Sequence, residues 1–303
     1  MRVVPLILAM IWLSFISRIA AQDKAQLEIG GGKIEVIFLS APAEPLRKLV
    51  LGWIASSARA VTVYYEQFPV SHLQIRLRFF DGRGVRGGRT TGWDGPAITI
   101  AAGRSSSAAD FTEDWVLTHE MVHLAFPSVP DEHHWIEEGS ATYVEPIARA
   151  RAGDLTPEKV WGDLVDGLPQ GLPQPGDRGL DFTATWGRMY WGGALFCFLA
   201  DIQIRKRTGN KKGLEDALRA ILKAGGTIES DWPLTRTLEI GDGATGVPVL
   251  CELYDRMKAS PGTVALSALW KELGVARRSS KTEFDDGAPL TAIRKAITQS
   301  GIR

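Results

Sequence analysis

The sequence predicts an α+β chain, with its strands in the N-terminal third and helices filling most of the remainder. Three observations point there. Apolar and polar residues alternate over 34–38 and again over 73–79, the two-residue period of a half-buried strand. Apolar residues recur at helical spacing over 46–68 and repeatedly from residue 189 onward. Between these regions lies His119-Glu120-Met121-Val122-His123, a pattern whose chemistry needs a helix.

Taken in order, residues 1–21 read as a secretory signal. Arg2 precedes an apolar run over 3–16, too short for a comfortable membrane span, and Ala20-Ala21 offers a cleavage site. The competing reading of this segment is an uncleaved anchor. The expectation is therefore an exported protein, periplasmic or extracellular, with no stable membrane insertion after signal cleavage. Lys+Arg and Asp+Glu are equal at 35 each, and removing Arg2 and Arg18 leaves 35 − 2 = 33 against 35. A balance this even gives no electrostatic footprint for nucleic acid, which is excluded as a partner. Cys197 and Cys251 could form one disulfide in an oxidising compartment or stay as two thiols.

Ile34, Val36 and Phe38 form the first strand pattern, which Pro42 and Pro45 interrupt. Leu49, Trp53, Ile54 and Val61 then mark a long helix, and Leu73, Ile75, Leu77 and Phe79 a second strand. Gly82-Arg83-Gly84-Val85-Arg86-Gly87 matches a dinucleotide-binding fingerprint by letter. That fingerprint requires a helix to open at its last glycine, which Gly88, Gly92, Gly95 and Pro96 forbid. The stretch is instead a connection between strands. Together with the strand over 97–101 it could form an edge that pairs with an extended substrate.

Asp110, with Glu113 three residues later, looks like a capping start for a helix of about four turns that carries the histidines. Residues four apart share a helix face, so His119 and His123 present two imidazoles together, half of a tetrahedral zinc site. The carboxylate of Glu120 can reach a water in the metal's open position, which is the arrangement of a zinc-dependent hydrolase.

Downstream, the stretch from Trp135-Ile136-Glu137-Glu138-Gly139 through Tyr143-Val144-Glu145 opens a second helix, and Tyr190-Trp191-Gly192-Gly193 opens a third. These residues, with the histidine motif, resemble the gluzincin or thermolysin-like zinc peptidases, nearest the zinc aminopeptidase and glycyl aminopeptidase branch. The resemblance covers roughly residues 110–209. It implies a thermolysin-like zincin catalytic domain, with a small strand-bearing N-terminal lobe over 22–109, a zinc-binding core over 110–209 and a mainly helical C-terminal lobe over 210–303.

The resemblance further implies one Zn2+ held by His119, His123 and Glu138, with Glu120 as general base and Tyr190 stabilising the tetrahedral intermediate. It implies Glu145 as a carboxylate that orients a histidine, and a peptide or protein as substrate. A catalytically silent relative that binds peptides or an envelope partner is the alternative; a purely structural metal site would need a fourth protein ligand, and none is evident. Two departures from the aminopeptidases stand out. The segment between His123 and Glu138 is shorter, and no Gly-x-Met-Glu-Asn strand supplies a glutamate for a substrate's amino group.

Glu137 reads as a solvated acid at a helix start, favoured by the helix dipole. His133 and His134 read as loop residues away from the metal. Pro146 should end or kink the ligand helix. The Gly- and Pro-rich segment over 167–176 would suit a rim or lid, or a plain surface loop. Further helices are expected over 189–207, 214–224, 247–257, 264–273 and 289–299, and Asp285-Asp286-Gly287 as a turn.

Overall fold

The computed structural model describes residues 23–299, so the signal-peptide reading of residues 1–21 lies outside the described residues. The N-terminal part is a five-stranded sheet and one long helix: β1 (Asp23–Ile29), β2 (Gly32–Phe38), α1 (Glu44–Tyr65), β3 (His72–Phe80), β4 (Val85–Thr91) and β5 (Ala97–Gly103). The spatial order is β1-β2-β3-β5-β4, with β2, β3 and β5 parallel and an antiparallel strand on each edge. One face is buried: Ile34, Val36, Ile75, Leu77, Ile98 and Ile100 share a core with Val50, Trp53, Ile54 and Val61 of α1. The other face carries the polar half of each alternation and is open to solvent.

The rest is helical: α2 (Ala108–Thr112), α3 (Val116–His123), α4 (His134–Arg151), α5 (Pro157–Gly167), α6 (Gly193–Arg207), α7 (Leu214–Lys223), α8 (Leu234–Thr245), α9 (Val249–Met257), α10 (Leu266–Leu273) and α11 (Thr291–Thr298). A small hairpin, β6 (Val275–Arg278) with β7 (Lys281–Phe284), lies before α11. Among the described residues no helix is long and apolar enough to cross a membrane. Cys197 on α6 and Cys251 on α9 are free thiols.

Several elements differ from the sequence expectation. β1, α5, α8 and the β6–β7 hairpin were not legible, because short or half-polar segments owe their form to what they pack against. The strand over 97–101 is interior, paired on both sides, so β4 is the edge. Asp110 caps α2, not the histidine helix: its carboxylate accepts from the Ser107 backbone N–H at 2.7 Å and the Ser107 hydroxyl at 2.6 Å. Nor does Pro146 end α4, which runs on to Arg151. Burial along nearly all of α4 outweighs the hydrogen bond that proline cannot make.

Candidate metal centre

α3 is only two turns long, so its start has to be held. The Asp114 carboxylate accepts from the backbone N–H groups of Val116 at 3.2 Å and Leu117 at 3.1 Å, and from the Trp53 indole at 3.1 Å. Free N–H groups at the helix start are thereby satisfied, and α3 is tied to α1. His119 and His123 then fall on the last turns, one above the other, with ring centroids 4.8 Å apart.

α4 delivers the third group. Glu138 Oε2 lies 3.1 Å from His119 Nε2 and 3.6 Å from His123 Nε2. The three donor atoms all lie within 4.8 Å of one another. Zinc bonded tetrahedrally at about 2.0–2.1 Å needs ligand atoms about 3.3 Å apart, and the two separations to Glu138 bracket that value. Burial alone would raise the Glu138 carboxyl, but hydrogen bonds from His119, His123 and His134 hold it well below the ordinary carboxylate range. Burial pushes His119 down, towards the neutral imidazole that can donate a lone pair. For His123 burial acts the same way, yet Glu138 outweighs it and draws the ring upward.

Two glycines let the helices meet. A β-carbon on Gly193 would stand 2.7 Å from the α-carbon of Gly139, and one on Gly139 would meet the Gly193 backbone at 2.2 Å. The glycine after Glu138 and the one three residues after Tyr190 are therefore the contact between α4 and α6. A wide π-type turn over Gly187–Gly192 opens α6 and aims Tyr190 at the site. Its ring stacks on His119 at 6.1 Å, with Trp186 also stacked on it at 5.5 Å. Burial, then the charges of Glu138 and Glu120, push the Tyr190 hydroxyl up to about 12, so it keeps its proton.

Glu120 is buried, and its position depends on β4. The Thr90 hydroxyl lies 2.6 Å from Glu120 Oε2 and 2.9 Å from the Glu120 carbonyl. A β-carbon at Gly88 would lie 2.6 Å from Glu120 Oε1, so only glycine lets the edge strand come this close. Gly88, Thr90, Glu120, His123, Glu138 and Tyr190 surround one cleft of about 300 Å³.

Three residues sit otherwise than expected. Glu145 does not turn to a histidine: it pairs with Arg149 at 2.8 Å, and the buried Nδ1 of His119 has no hydrogen-bond partner among the described residues. Glu137 is buried rather than solvated, accepting from the Val129 N–H at 2.9 Å. His134 opens α4 rather than lying in a loop, with Nε2 3.3 Å from Glu138 Oε1. The carboxylates of Glu137 and Glu138 raise it to about 10. The sequence did not single out Thr90, offered Gly88 only as a helix breaker and placed His134 in a loop away from the metal; the signal for His134 was its i,i+4 spacing to Glu138. His133 is remote from the cleft, bonded to Asp181 at 3.0 Å.

A larger cavity of about 640 Å³ lies beside the cleft and shares Tyr190 as a wall, with His119, Trp115, Trp186, Gly167 and Gln170 also lining it. The Gly- and Pro-rich segment is thus a rim. It is clamped by Arg188, which donates to the Gly171 carbonyl at 2.6 Å and pairs with Asp177 at 2.7 Å.

Sheet, helices and triad together define a metallopeptidase-like fold. Solved structures that share this fold include M1 zinc metallopeptidases and an aminopeptidase N family protein. An aminopeptidase N family protein from Idiomarina loihiensis superposes with a TM-score of 0.65 at 14% identity, over 84% of this chain and 49% of that one. An M1 zinc metallopeptidase from Deinococcus radiodurans gives 0.55 at 16%, over 81% and 53%. A two-domain M1 zinc metallopeptidase bound to L-arginine gives 0.52 at 16%, over 80% and 54%. The chain spans about half the length of these neighbours. No protein-family model and no curated protein matches the sequence.

Proposed function

We propose that this protein is a zinc-dependent peptidase, and one observation carries the reading: His119, His123 and Glu138 converge their donor atoms beside a Glu120 that edge strand β4 holds in place. The structural neighbours, two of them zinc metallopeptidases by description and one an aminopeptidase N family protein, support the same class. Zinc held by the three side chains would supply a Lewis acid and bring a water's pKa towards about 7.

The chain's own residues do the rest. Glu120 accepts the proton of the attacking water and passes it to the leaving amine, as a general base that becomes a general acid. Thr90 fixes one oxygen of Glu120 and leaves the other for that proton. The protonated Tyr190 hydroxyl donates to the oxygen of the scissile carbonyl as charge develops there. β4, the open edge beside Glu120, offers backbone groups to an extended peptide. Its seven residues include no carboxylate to hold a free amino group, which supports cleavage within a chain over removal of N-terminal residues.

Two variants test the reading. Glu120→Gln should bind zinc stoichiometrically and lose hydrolysis of a mixed peptide library by at least about a thousandfold. Glu138→Ala should lose zinc on dialysis against chelator. Full hydrolysis by the first variant, or unchanged zinc in the second, would reject the assigned roles.

A further inference from the structure

The solvent face of the sheet holds a feature that peptide hydrolysis does not use. β3 alternates strictly: Ile75 and Leu77 face the core, and Arg76 and Arg78 face water.

On β4 a bulge does the placing. The register slips between Arg86 and Gly88, at Gly87, whose φ of +52° suits glycine. Without the extra residue, Arg86 would share the inward side with Gly88 and Thr90. With it, Arg86 stands opposite Ala101 and Arg89 opposite Thr99, both on the outer face. Across β5, Arg76 is also in register with Thr99 and Arg78 with Ala101. The four arginines therefore form two rows of two, about 10 Å apart across the strands and about 7 Å along them.

None of the four has a carboxylate within 4.0 Å among the described residues, whereas arginines of the helical part are mostly paired, as Arg149, Arg188, Arg205 and Arg294 are. The chain as a whole has no excess of positive charge. The array is flat, and although Arg89 also lines the cleft and Arg76 the concavity beside Trp93, the four do not converge on one pocket, so the array suits many anions spread over a surface better than one compact ligand. Beside Arg76 stands Trp93, 95% exposed, which lines a concavity of about 690 Å³ with Arg76, Lys33, Glu28, Glu35 and Asp94. An exposed tryptophan next to clustered arginines is the composition of a bilayer interface, where the ring sits at headgroup level.

We propose that this face docks the protein on an anionic lipid bilayer, with Arg76, Arg78, Arg86 and Arg89 on the headgroups and Trp93 at the interface. β4 then serves two sides, its outer residues towards lipid and Gly88 and Thr90 towards Glu120.

The test is co-sedimentation of the full chain with vesicles of phosphatidylcholine containing about a third phosphatidylglycerol, against pure phosphatidylcholine. Binding is expected to the anionic vesicles only, to weaken with salt, and to fall roughly fivefold for each arginine changed to Gln. Arg76→Gln with Arg78→Gln, which leaves β4 intact, should lose about twenty-fivefold, while Arg236→Gln with Arg256→Gln should change nothing. Thermal melting checks that the variants fold. A blue shift of tryptophan emission on binding should disappear in Trp93→Phe. Equal binding to both vesicle types, no loss in the arginine variants, or capture by soluble polyphosphate without affinity for vesicles would overturn the proposal. Zinc content and peptide cleavage in solution are separate readouts and do not depend on it.

Discussion

α3 and α4 both bring groups to the metal centre, yet they are held by different means. α3 has eight residues and little of its own to keep it folded; Asp114 at its start and Thr90 against its Glu120 carbonyl hold it from outside. α4 has eighteen residues, is buried along most of its length and is located by backbone contact through Gly139 and Gly193. Polar bonds can be lost one at a time, whereas two touching backbones cannot yield by degrees. The comparison therefore predicts graded damage on the α3 side and abrupt damage on the α4 side.

The largest effect should come from Gly139→Val. Side-chain atoms there meet the backbone of α6, and the cost should be about 3 kcal/mol or more, with zinc affinity lost as Glu138 is displaced. Thermal unfolding and metal analysis measure both, and a melting curve like that of the parent would break the comparison. Asp114→Ala should cost about 2 kcal/mol, since it removes a helix cap and leaves the Trp53 indole without its acceptor. Denaturant titration reads this directly, and a loss as large as that of Gly139→Val would mean that α3 is not the separately adjustable half. Thr90→Val should cost only about 1 kcal/mol, keep zinc and reduce turnover about tenfold, because Glu120 loses the bond that orients it. If turnover held while stability fell, Thr90 would belong to the sheet and not to the site.

The two faces of β4 repeat the lesson within one strand. In sequence, Val85-Arg86-Gly87-Gly88-Arg89-Thr90-Thr91 looks like a basic, glycine-rich connection. The bulge at Gly87 sorts it into an inner side that touches Glu120 and an outer side of arginines. A one-residue shift of register reverses every side chain of a strand, so no reading of composition could have placed them.

From the sequence alone came the α+β class, the long first helix, β3, most of the later helices and the convergence of His119, His123 and Glu138. All but Glu138 follow from local periodicity and from spacings that repeat on a helix, which each segment carries within itself, whereas Glu138 was implied by the resemblance to the gluzincin peptidases. Tertiary structure alone decided that Asp114 and not Asp110 starts the histidine helix, that Glu145 binds Arg149, and that His134 and Thr90 stand at the cleft. Thr90 arrives from a distant strand, while the Asp114, Glu145 and His134 contacts are local options among which packing chooses, and burial then outweighs local preference, as it does where α4 passes through Pro146.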